Sequence, residues 1–141
     1  MGLNVALIDP YRLEGLQFDT IASLARFKRM DLVVFFPLPE IKRNLQLNRA
    51  TYTALINRAL GTDEWQPIIN KTDDVVRLVE VFRSQRRRRF GYTTAKVRTV
   101  PIRNDKNVPL HHLVFASKHR LGDAIWESIT KRTGGGQRTL F

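Results

Sequence analysis

The sequence predicts an α/β fold: a β-α-β unit, then a helical block, an antiparallel β-hairpin and a closing helix. Three observations predict it. Two short apolar runs rich in β-branched and aromatic residues, "LNVALI" (3–8) and "DLVVFF" (31–36), have the pattern of strands covered on both faces in a parallel sheet. The segment between them has helical periodicity. Two further β-type runs near the C-terminus are separated by a polar turn, "RNDKN", that suits a hairpin.

Taken in order, the first two strands each end at a proline, Pro10 and Pro37. Between them "FDTIASLARFK" sets Phe18, Ile21, Leu24, Ala25 and Lys28 at helical spacing with the apolar members on one face, which gives a βαβ unit with a right-handed crossover helix. From Pro39 to Arg89 the pattern is helical. "EIKRNLQL", "ATYTALINRALG" and "DDVVRLVEVFRSQRRRR" carry apolar residues every three or four positions, with Gly61 as the stop of the middle helix and Thr72 and Asp73 as caps for the longest. "YTTAKVRTVPI" and "PLHHLVFAS" are the hairpin strands, with Pro101 and Pro109 near the turn end, where ladder bonds are fewest. "LGDAIWESITKR" is an amphipathic helix with Leu121, Ile125, Trp126 and Ile129 on one side, and "TGGGQRTLF" reads as a flexible tail. The organisation is a βαβ half-sheet (3–38), a helical insert (39–91), a hairpin with closing helix (92–132) and a tail (133–141).

With 141 residues, 43% of them apolar, the chain can furnish one ordinary core. Lysine and arginine number 24 against 13 acids, a formal charge of +11 that favours a polyanion such as nucleic acid as partner. There is no cysteine, which excludes disulfides and thiolate metal sites. No apolar run approaches the ~18 to 20 residues of a membrane span, and the N-terminus lacks a secretory pattern, so the expected location is the cytoplasm, away from membranes.

A doubly wound sheet that ends in an antiparallel hairpin strand is the second half of the class I methyltransferase architecture, whose ligand sits at the carboxyl ends of the strands. Asp9, Pro10 and Tyr11 fall at such an end. They resemble the Asp/Asn-Pro-Pro-Tyr/Phe motif of methyltransferases that act on exocyclic amines of bases. That resemblance implies that the Asp9 side chain and the following carbonyl accept hydrogen bonds from the amine, while Tyr11 stacks on the base. The second proline of the motif is absent. Further along, "LIDPYRLEGLQFDTIASLARFKRMDLVVFFP", "LGTDEW" and "PIRNDKNVPLHHLVFASKHRLGDAIW" occur in the order found in the three-Cys-motif partner proteins, methyltransferase-like proteins of bacteria and phages, and the resemblance spans Val5 to Trp126. Arg12 stands where that family carries glycine. The family also has an upstream half with a glycine-rich turn and an acid for the ribose of S-adenosylmethionine. Nothing in this sequence matches that half; the clustered glycines, Gly134 to Gly136, follow a helix and read as a linker.

The resemblance therefore implies the C-terminal half of a family member, from a truncated or split gene product, which binds no S-adenosylmethionine alone and is inactive alone. The first strand independently calls for a neighbour on its unpaired edge, an upstream half or a second copy.

"RSQRRRRF" places Arg83, Arg86, Arg87, Arg88 and Arg89 at the end of a long helix, more cations than its dipole needs, and Lys96, Arg98 and Arg103 on the next strand extend a patch able to clamp phosphates. A solvated charged face is the plain alternative. His111 and His112 are adjacent on a strand and point to opposite faces, so they do not share a metal, and Ser117 with His119 lacks a placed acid; no metal site is expected. The resemblance makes His112 and His119 packing or turn residues. Trp65 and Trp126 read as core or interface aromatics. In the closing "QRTLF", Gln137, Leu140 and Phe141 resemble the short peptide with which bacterial proteins bind the replication sliding clamp. A second reading of the whole chain is a non-catalytic basic binding module, in which residues 40 to 117 form a winged helix-turn-helix. The two readings differ in whether the hairpin joins the sheet of Val5 and Val33 or stands apart against the arginine-rich helix.

Overall fold

The computed structural model describes residues 2, 4–72, 75–92, 99–103, 105–107 and 109–133. Its frame is a four-stranded mixed sheet in the order β1-β2-β4-β3, formed by β1 (Asn4–Ile8), β2 (Met30–Phe36), β3 (Thr99–Arg103) and β4 (Pro109–Ala116). β1 and β2 run parallel, with Val5 opposite Asp31 and Leu7 opposite Val33; β4 is antiparallel to both β2 and β3. The hairpin thus extends the sheet of Val5 and Val33 and does not stand apart. β3 is an edge strand, which explains how Pro101, with no N–H to give a ladder, is accommodated in it.

The described residues form six α-helices: α1 (Phe18–Ala25), α2 (Leu38–Leu47), α3 (Arg49–Leu60), α4 (Gln66–Thr72), α5 (Arg77–Phe90) and α6 (Arg120–Thr133). Leu32, Val34 and Phe36 of β2, alternating along the strand, join Val114 and Ala116 of β4 in one core with Ile21 of α1, Ile41 of α2, Ile56 and Leu60 of α3, and Val79 and Phe82 of α5. Trp65, before α4, is fully buried there and its indole N–H donates to Asn57 Oδ1 at 2.7 Å. Gly61 ends α3 with φ 69°, a left-handed conformation that favours glycine, and its Cα faces the Phe18 ring at a distance that leaves no room for a Cβ. No described helix is long and apolar enough to cross a membrane.

Two expectations are corrected. β1 is not covered on both faces: Val5 is 59% and Leu7 65% exposed, because α6 lies over β2 and β4 and nothing described covers β1 on that side. Thr72 does not cap the longest helix. It ends α4, whereas α5 begins at Arg77 after Val76, which offers no capping side chain; Asp73 lies outside the described residues. On α6, Leu121 and Ile125 remain exposed while Trp126 stacks on Phe115 of β4, ring centroids 4.7 Å apart.

The turn between α1 and β2 is held by residues from far along the chain. Lys118 Nζ donates to the carbonyls of Ala25 and, at 3.3 Å, Phe27, while Tyr92 Oη donates to Met30 O at 3.1 Å.

Candidate nucleic-acid interface

β1 and β2 are parallel, so both deliver the chain to the same end of the sheet, where backbone direction changes and side chains of two loops converge. After β1 the chain turns through Asp9 and Pro10 into a 3₁₀ turn at Leu13–Gly15; after β2 it passes through Pro37 into α2. Between them lies an open cleft of about 640 Å³ lined by Tyr11, Arg12, Glu14, Glu40, Arg43 and Tyr52, with Asn44 and two prolines.

Glu40, in the first turn of α2, organises this cleft. Its Oε2 accepts from the Leu13 backbone N–H at 3.1 Å, and its Oε1 accepts a short hydrogen bond from the Tyr52 hydroxyl of α3. Asn44 Nδ2 donates both to the Glu40 carbonyl at 2.8 Å and to the Tyr52 hydroxyl at 3.2 Å. One carboxylate therefore ties the loop after β1 to two helices, and fixed acceptors of this kind set the orientation of a loop that would otherwise be free to swing. Burial, and then the bonded Glu40 charge, push the Tyr52 phenol well above its ordinary range, so Tyr52 stays a neutral donor at physiological pH.

Of the three motif residues, the structure brings only Tyr11 into the cleft lining. Its ring is 93% exposed, with the Arg12 guanidinium 5.8 Å from the centroid. Asp9 is exposed at the end of β1 but lies outside the lining, and Pro10 packs against Gly15. Glu40, Arg43 and Tyr52 were not singled out in the sequence. The available signal was positional: Glu40 follows, three residues later, the proline that ends the second parallel strand, the counterpart of the place where Asp9-Pro10-Tyr11 follows the first.

The arginine cluster on α5 is divided rather than continuous. Arg86 does not face solvent: it is 1% exposed, its guanidinium stacks on the Phe82 ring 4.4 Å from the centroid, and none of its three nitrogens has a hydrogen-bond partner among the described residues. Burial pushes its pKa down to about 9, which still leaves it a cation at neutral pH. This corrects its place among the phosphate-facing residues. The cause is the helical repeat, which puts Arg86 on the stripe of Leu78 and Phe82. Arg83 pairs with Glu80 at 3.2 Å and Arg88 with Glu64 at 3.5 Å. Arg89 lies over the Phe18 ring and donates to Gly61 O at 3.3 Å. Arg87 is exposed and without a partner among the described residues. Lys96, Arg98, Gln137, Leu140 and Phe141 lie outside the described residues, as does the side chain of Arg103. His119 is an exposed turn residue whose N–H donates to Ser117 Oγ at 3.1 Å. No group of three metal-ligating side chains occurs among the described residues.

Among the described residues no glycine-rich turn of the kind expected for S-adenosylmethionine follows a strand. Of the described glycines, Gly2 precedes β1, Gly61 and Gly91 end helices, Gly15 closes a 3₁₀ turn and Gly122 lies in α6; none opens a strand-to-helix turn at the carboxyl end of a strand. Comparison with protein-family models, with curated proteins and with solved structures finds no match for this chain.

Proposed function

We propose that this chain is the acceptor-side unit of a methyltransferase-like protein, akin to the three-Cys-motif partner proteins, and that its own task is to hold nucleic acid at the carboxyl ends of β1 and β2. The observation that carries the proposal is Tyr11: a fully presented aromatic ring with the Arg12 guanidinium beside it, in a cleft that Arg43 also lines and whose loop is pinned by Glu40. An exposed ring beside cations suits an unpaired base, which stacks on the ring while its phosphates meet the guanidinium groups. The sheet order supports the class, since a parallel pair continued by an antiparallel hairpin is what the second half of a class I methyltransferase sheet requires. The winged-helix alternative needs a hairpin packed apart from the sheet, and β4 instead pairs with β2. The net charge of +11 supports a polyanionic ligand. No step of methyl transfer is assigned to these residues, because no site for the methyl donor is found among the described residues.

The test is fluorescence anisotropy with labelled single-stranded DNA and RNA of about a dozen nucleotides, at about 50 and 200 mM salt. Tyr11→Ala should weaken binding by the ~1 to 3 kcal/mol of one stacked base, roughly 5- to 150-fold. Arg43→Ala should flatten the salt dependence by about one unit of slope. Unchanged binding in Tyr11→Ala would overturn the proposal even if the chain still bound nucleic acid elsewhere.

A further inference from the structure

Internal bonding uses up part of the cleft at the ends of β1 and β2 and leaves the rest for a ligand. Glu40 gives both carboxylate oxygens to Leu13 and Tyr52, and Asn44 spends both amide protons on the Glu40 carbonyl and the Tyr52 hydroxyl. The side chains of Arg12, Glu14 and Arg43 make no hydrogen bond or ion pair with any described residue. Two guanidinium groups and one carboxylate therefore remain, beside the exposed Tyr11 ring. Glu14 is itself exposed, and its charge is felt inside the cleft: after burial and Glu40, it is the next cause that raises the Tyr52 phenol, and Arg43 opposes it.

Three of these groups belong to one short turn that the fold holds still. Leu13 and Leu16, each 1% exposed, anchor it on either side of Glu14, and the Leu13 N–H is fixed by Glu40. The Gly15 N–H donates to Arg12 O and the Leu16 N–H to Leu13 O, both at 2.9 Å. Gly15 also packs on Pro10, where a Cβ would lie 3.4 Å from the proline ring. Tyr11, Arg12 and Glu14 are thus presented as one unit: a stacking surface, a cation and a carboxylate.

The chemistry of that set is selective, because unpaired bases differ in the edges they offer. Guanine alone carries two adjacent donors, N1–H and the 2-amino group, which match the two oxygens of a carboxylate. Adenine and cytosine set one amino donor beside a ring acceptor, and thymine or uracil places one N–H between two carbonyls. Each of these turns a lone pair towards the second carboxylate oxygen. On its other edge guanine offers O6 and N7, the acceptors that a guanidinium bridges. We propose that the cleft selects guanine among unpaired bases, with Tyr11 stacking on the ring and Glu14 accepting from N1–H and the 2-amino group. The guanidinium groups of Arg12 and Arg43 are left for O6, N7 and the phosphates. This rests on the stacking role of Tyr11 given above and goes beyond it by naming the base and the residue that reads it.

Competition anisotropy on the intact chain tests the selection. The probe is a labelled oligothymidylate of about a dozen nucleotides, and the competitors are unlabelled strands of the same length with one central guanine, adenine, cytosine or hypoxanthine. Guanine should compete about tenfold or more better than adenine or cytosine. Hypoxanthine, which lacks the 2-amino group, should lose most of that advantage, and this comparison needs only the wild-type chain. Glu14→Gln, its fold checked by an unchanged Tm, should bring the guanine-to-adenine ratio to about one. Equal competition by guanine and adenine, hypoxanthine as good as guanine, or a guanine preference that survives in Glu14→Gln overturns the proposal. In each of those cases a loss of affinity for every strand in Tyr11→Ala keeps the stacking role, whereas a wild-type chain that binds no strand overturns both.

Discussion

Replacing Arg86 with methionine should make the protein more stable. The guanidinium is fully buried, has no hydrogen-bond acceptor among the described residues, and is displaced several units below the ordinary arginine range, to about 9, by desolvation. At 1.36 kcal/mol per unit, that displacement corresponds to a cost of about 5 kcal/mol for holding the charged form in the folded chain. The Phe82 ring offsets about 2 kcal/mol of this through the cation–π contact at 4.4 Å. Methionine keeps the unbranched stem against Phe82 and removes the charge, so Arg86→Met should gain about 1 to 4 kcal/mol in urea unfolding at pH 7. The pH dependence carries its own sign. Because the folded pKa lies below the unfolded one, the unfolded chain binds more protons above about pH 9, and wild-type stability should rise as pH climbs from 8 towards 10. Methionine should abolish that rise. Above pH 10 the tyrosines oppose it: Tyr92, pushed up to about 12 chiefly by burial, and Tyr52, raised further, deprotonate more readily unfolded. A methionine variant destabilised by more than about 1 kcal/mol, or one that keeps the alkaline rise, would refute the assignment of Arg86 as an uncompensated buried cation.

Other consequences of the geometry are simpler to measure. Glu40→Gln leaves the Leu13 N–H and the Tyr52 hydroxyl without a charged acceptor, so it should cost about 1 to 3 kcal/mol of stability, and the Tyr52 phenol should titrate at lower pH by ultraviolet absorbance, though still above 10 because burial persists. Gly61→Ala forces a left-handed backbone and sets a methyl against the Phe18 ring, so it should lower stability by about 1 to 3 kcal/mol, whereas Gly91→Ala, equally left-handed but facing open space, should cost less.

Much of the frame was legible because it depends on local pattern. The continuous apolar runs ending at Pro10 and Pro37 mark β1 and β2, the polar turn marks the hairpin, and Gly61 falls where α3 ends. What escaped depends on which face a residue meets. "RRRR" reads as a phosphate-facing cluster because four residues in a row point all round a helix and some must face solvent, yet Leu78, Phe82 and Arg86 stand four residues apart, and the helix carries the third inward with the first two. "LNVALI" resembles a doubly covered strand because pattern records the hydrophobicity of a surface and not whether a neighbour covers it. Glu40 could not be paired with Leu13 and Tyr52 from spacing, since those contacts span 27 and 12 residues and arise only when two loops meet at one end of the sheet.

The clasp on the α1–β2 turn bears on how the chain assembles. Lys118 reaches back 93 and 91 residues to Ala25 and Phe27, Tyr92 reaches 62 residues to Met30, and β2 gains its second neighbour only when β4 arrives. Loop closure over such spans must be completed before the contacts repay it, so the N-terminal βαβ unit has little to gain by ordering early. A ribosome-bound chain that has emerged only as far as Phe90 lacks Tyr92, Lys118 and β4, and its central strand has one open side. Folding should therefore be late and concerted, with the protection of β2 amides from hydrogen exchange appearing together with that of β4.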